Sequence, residues 1–99
     1  MDILSIIQES FTTWYNEHVS QTPVSIVIRY NDLQTLRIKA YHTVTMEVSI
    51  LGTKDNLSFA SPLLKLQENY NHGVTTEEEA KEAMVKKLLV SLYDYQRVH

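Results

Sequence analysis

Leu4, Ile7, Phe11, Trp14, Tyr15 and His18 recur at intervals of three and four residues, while Glu9, Thr12, Asn16 and Glu17 fall away from their stripe. That period predicts an amphipathic helix with Asp2 as its cap, running to about Val19 and broken by Ser20, Gln21, Thr22 and Pro23. Trp14 belongs to the core by this reading. From Val24 the period drops to two: Val24, Ile26, Ile28 and Tyr30 alternate with Ser25, Val27 and Arg29, as a strand with one buried face requires. Asn31 and Asp32 supply turn chemistry. A second strand is predicted with Leu36, Ile38 and Ala40 inward and Thr35, Arg37, Lys39 and Tyr41 outward. A third carries Val44, Met46, Val48 and Ile50 opposite Thr43, Thr45, Glu47 and Ser49.

Gly52 through Asn56 reads as a turn, and Leu57 to Ala60 as a short fourth strand with Leu57 and Phe59 inward. Ser61 and Pro62 resemble a helix start, so Leu63, Leu66 and Tyr70 are expected on one face of a short helix ended by Asn71, His72 and Gly73. The final helix has a clearer opening. Thr75 or Thr76 caps it, Glu78 or Glu79 completes a capping box, and Glu77, Glu78 and Glu79 suit the positive end of the helix dipole. Its buried stripe is Ala80, Met84, Leu88, Leu92 and Tyr95, broadened by Val85 and Leu89, with Glu82 and Lys86 as an exposed pair. The fold class that follows is α+β in two layers: an N-terminal helix, an antiparallel meander of three to four strands, a short helix and a long C-terminal helix, all in one domain spanning residues 1–99.

Composition fits a folded domain. The 99 residues are 43% hydrophobic and 21% charged, close to globular averages and far from those of disordered chains. Without cysteine the fold has neither disulfides nor thiolate metal ligands, so packing must stabilise it; a reducing cytoplasm is the expected setting. The start Met1, Asp2, Ile3 carries an acid where a secretion signal carries positive charge, and Arg29, Lys39 and Glu47 interrupt the most apolar middle segments, so neither export nor a membrane partner is expected. Gly52 and Gly73 stand too far apart for a glycine-rich phosphate loop, and no cofactor is expected.

The four histidines, His18, His42, His72 and His99, match no zinc spacing, and no Gly-x-Ser-x-Gly elbow is present, so no catalytic residue and no metal ligand are assigned. His18 is expected half-buried at the end of its helix. Two surfaces remain as candidates. On the outer face of the sheet, Arg29, Arg37, Lys39 and Tyr41 combine positive charge with an aromatic ring. On the last helix, Val90 and Tyr93 project away from the buried stripe. The order helix, three strands, helix is also that of double-stranded RNA-binding domains. Those place lysines at the start of the last helix, where this chain has Glu77, Glu78 and Glu79, so the residues argue against that family.

The expected function is that of a non-enzymatic binding protein acting through protein–protein contacts, such as an inhibitor, immunity or accessory protein of bacterial or phage type. Another protein is the expected partner, and the sheet edges offer a route to a homodimer. The alternative is nucleic-acid or nucleotide binding on the basic sheet face, which the formal net charge of -3 makes the weaker expectation.

Overall fold

A computed structural model describes residues 2–34 and 41–99. The elements follow in the order α1 (Ile3–His18), β1 (Ser25–Gln34), β2 (Tyr41–Lys54), β3 (Leu57–Asn71) and α2 (Glu77–Val98). The strands form one antiparallel sheet in the order β1-β2-β3, and both helices pack on one face of it. Each helix has the cap its sequence predicts. Asp2 accepts a hydrogen bond from the Leu4 amide at 3.2 Å, and Thr76 and Glu79 close a capping box at the start of α2.

The core lies between the layers. Ile26 from β1 and Val44, Met46, Val48 and Ile50 from β2 meet Leu4, Ile7 and Phe11 from α1 and Ala80, Met84, Val85, Leu88 and Leu92 from α2. The strictly alternating burial along β2 is what a central strand with one covered face must show. Trp14, Tyr15 and Tyr95 pack half-buried against the core around Phe11, with ring centroids 5.5, 6.2 and 5.9 Å from its own.

Three readings need correction in the strands. First, Asn31 and Asp32 do not turn the chain: β1 runs through them to Gln34, opposite Thr45 and Val44, and Asp32 uses its carboxylate across the sheet rather than on its own backbone. Of the expected second strand, residues 35–40 lie outside the described residues, and Tyr41 opens β2.

Second, the short helix after Pro62 does not form. Leu57–Asn71 is one 15-residue strand paired with β2 along its length. Proline is tolerated there because β3 is an edge strand and because Pro62 sits beside a bulge, where the register shifts between Val48 and Ser49. Leu64, Leu66 and Tyr70 then face the helices through a period of two instead of a helical one. Third, Leu57 and Phe59 lie on the inner face, opposite Lys54 and Gly52 and in phase with Ile50, but outside the core: they are 72% and 40% exposed. The β2–β3 hairpin turns on Asp55 and Asn56, whose φ values of 53° and 66° are those a two-residue turn matching the strand twist requires.

In the helices, Leu89 is 46% exposed rather than buried, and His18 is exposed, its ring stacked on Trp14. Glu82 and Lys86 are not among the ion pairs of the described residues. Lys87 instead pairs with Glu68 of β3, and Arg97 with Asp94.

The polar face of α1 has a function that periodicity concealed. Gln8, Thr12 and Asn16, one turn apart, accept hydrogen bonds from the amides of Ile28, Ile26 and Val24 at 2.9, 3.3 and 2.9 Å. Asn16 also donates to the Val24 carbonyl. The helix thereby covers the first part of the free edge of β1, as far as Ile28, which would otherwise offer an unpaired ladder to another strand.

Candidate functional site

On the outer face of the sheet, Arg29 lies opposite Glu47 and Glu47 opposite Lys65, so one row across the three strands reads positive, negative, positive. Glu47 closes on Lys65 at 3.6 Å. Tyr41 shares this face but stands six residues along β2 from Glu47, about 20 Å at strand spacing. Arg37 and Lys39 lie outside the described residues. The described part of the face is therefore charge-alternating, with Asn31, Thr45 and Gln67 forming the next row.

The outer side of the helix layer is different. Ile3 shares a surface cleft with Glu78, Glu82 and Val85, and Phe11 packs on Tyr95, so α1 and α2 run in the same direction. Between them is an open groove of about 570 Å³, floored by Ile7, Phe11 and Leu92 and walled by Ile6, Leu89 and Tyr93. Val90 and Tyr93 are 62% and 63% exposed, and Ile3, Ile6 and Leu89 add to the same apolar surface. At 100° per residue, Glu82, Lys86, Leu89, Val90, Tyr93 and Arg97 fall within one stripe about 100° wide, all of them exposed. Apolar side chains occupy its middle and charges its ends.

A third cluster gathers where the last residues of β1, the start of β2 and the end of β3 meet the beginning of α2. Asp32 bonds His42 Nδ1 through Oδ1 at 2.7 Å and accepts from the Tyr70 hydroxyl through Oδ2 at 2.7 Å. The His42 and Asp32 side chains are only 13% and 15% exposed. The His42 ring lies 5.1 Å from both the Tyr70 and the His72 rings. Desolvation first, then the hydrogen bond to Asp32 and the charges of Asp32 and Glu77, pushes the Tyr70 hydroxyl well above the usual tyrosine range, so it remains a donor at neutral pH. Tyr30 is shifted in the same direction by desolvation and the same two carboxylates. The concavity beside Tyr70 is about 150 Å³, below the ≈ 300–1,000 Å³ of small-molecule sites.

Sequence reasoning placed Val90 and Tyr93 of α2 outside but put Leu89 in the buried stripe, and it missed this cluster. The local pattern places Asp32 in a turn, His42 in a turn between strands and Tyr70 on a helix, and only the register of three strands brings them together. Among the described residues no helix is long and apolar enough to cross a membrane. No protein-family model, no curated protein and no solved structure matches this chain.

Proposed function

We propose that this chain is a small non-enzymatic binding protein of the inhibitor, immunity or accessory kind, working through protein–protein contacts on the outer side of its helix layer, and that this surface first engages a second copy of the chain. The observation that carries the reading is the self-complementarity of the exposed α2 stripe. If two α2 helices cross antiparallel about a two-fold axis between Leu89 and Val90, those residues meet each other. Tyr93 then meets the stem of Lys86, and Glu82 meets Arg97 of the other copy. Ile3 and Ile6 of α1 flank the same surface and would extend the apolar contact. The edge of β1 up to Ile28 is already bonded to α1, which favours a helix-mediated contact over strand addition along that stretch.

Sedimentation equilibrium tests this. A reversible dimer is expected, weakened by Glu82→Lys alone and restored when Arg97→Glu is added, because each ion pair occurs twice across a two-fold axis. At about 0.2–1 kcal/mol per exposed pair, the single change should cost about 2- to 30-fold in dimer affinity. Tyr93→Asp should leave monomer. A strictly monomeric wild-type protein, or a double variant weaker than either single one, would overturn the assignment. Nucleic-acid binding on the sheet face has less support: between Arg29 and Lys65 the described row places Glu47.

A further inference from the structure

The Asp32–His42 cluster lies apart from the helix-layer surface and has the composition of a cation site. Asp32, His42 and Glu77 each present one oxygen or nitrogen such that the three atoms lie within 4.8 Å of one another. They come from three elements: β1, β2 and the first residue of α2. We propose that Asp32, His42 and Glu77 bind one divalent first-row transition-metal ion, of the Zn²⁺ or Mn²⁺ class, at the junction of the sheet with the start of α2.

Four features support this donor set. Asp32 and His42 are already oriented: the carboxylate is fixed by Tyr70 through its other oxygen, the outer hydrogen bond that ligating carboxylates normally have. The His42 ring packs at one corner of a triangle with those of Tyr70 and His72 and is bonded to Asp32, so part of its side-chain freedom is already lost before binding. The 2.7 Å between Asp32 Oδ1 and His42 Nδ1 is slightly less than the separation of about 3.3 Å between neighbouring ligands 2.0–2.1 Å from a tetrahedral ion, so a small opening admits the metal as the ring N–H is replaced. Glu77 is exposed and outside the capping box, which uses Glu79, so its carboxylate is free to swing onto the ion.

Charge points the same way. Two carboxylates and a neutral imidazole leave a net charge of −2 on the donor set, which a dication neutralises. One imidazole with two carboxylates suits Zn²⁺ or Mn²⁺; Cu(I) prefers the sulfur ligands this site lacks. Ca²⁺ is bound through oxygen alone, so the imidazole nitrogen of His42 contributes nothing to holding it.

Isothermal titration of the metal-free protein with Zn²⁺ and with Mn²⁺ tests the assignment, with Ca²⁺ as contrast. One equivalent of Zn²⁺ or Mn²⁺ is expected to bind, at least ten-fold more tightly than Ca²⁺. Glu77→Gln, which leaves the capping box intact, and His42→Ala should each weaken binding ten-fold or more, while the double variant of the exposed histidines at the ends of α1 and α2, His18→Ala with His99→Ala, should change it less than three-fold. Circular dichroism checks that the variants fold. If His42→Ala unfolds the chain, Glu77→Gln decides alone. Absence of binding, a Ca²⁺ preference, or loss of binding in the His18/His99 variant instead of at Glu77 would overturn it.

Discussion

Phe11 gives the most direct test of how the layers are held together. Its side chain is 2% exposed and lies at the centre of the aromatic group formed by Trp14, Tyr15 and Tyr95, the last of which comes from α2. Phe11→Ala removes a buried ring and leaves a cavity, at a cost of about 3–5 kcal/mol. Three ring pairs, each worth about 0.5–1.5 kcal/mol beyond burial, place the expected loss in the upper half of that range. Against a total of about 5–15 kcal/mol for a domain of this size, such a loss removes about a quarter of the stability or more. Urea denaturation followed by far-UV circular dichroism and by the fluorescence of Trp14, the only tryptophan, measures it; protein concentrations should be low enough that self-association does not contribute. Phe59→Ala is the control. That ring is 40% exposed, so the same change should cost below about 2 kcal/mol. A Phe11→Ala loss under about 1.5 kcal/mol, or equal losses at both positions, would refute the placement of the core beneath the two helices.

Two further outcomes follow from local geometry. The raised Tyr70 hydroxyl makes stability pH-dependent: the unfolded chain ionises near the usual tyrosine value of about 10 while the folded one keeps its proton, so the contribution is complete below about pH 10 and is lost as the pH rises above it, by at most about 1.4 kcal/mol per pH unit. Tyr70→Phe should flatten the decline in unfolding free energy between pH 9 and 11.5, and an unchanged slope would refute the role of this hydroxyl. Asn56, at φ 66°, should accept glycine without loss, whereas Asn56→Val should cost about 1–2 kcal/mol in the same denaturation assay; equal stability of the two variants would contradict the left-handed turn.

The parts of the fold legible in the sequence are those set by local periodicity. The stripe Leu4, Ile7 and Phe11, the alternation from Val44 to Ile50 and the capping box before Ala80 each announce an element and the face it buries, because one covered face imposes its period on the residues beneath it. The middle segment was not legible for the same reason. Leu63, Leu66 and Tyr70 fit a helical spacing, and Ser61-Pro62 is ordinary helix-start chemistry. An edge position and a bulge, both properties of the pairing with β2, are what make Pro62 acceptable in a strand.

By itself, then, the chain determined that two terminal amphipathic helices would cover one face of an antiparallel sheet, and that Val90 and Tyr93 would be left outside. Only the tertiary structure decided how far each strand runs, that Gln8, Thr12 and Asn16 bond the edge from Val24 to Ile28, and that Asp32, His42, Tyr70 and Glu77 converge. Hydrophobic pattern reports which side of an element faces the core. Register, edges and the meeting of polar side chains from distant segments depend on partners that lie elsewhere in the chain, and local spacing carries no record of them.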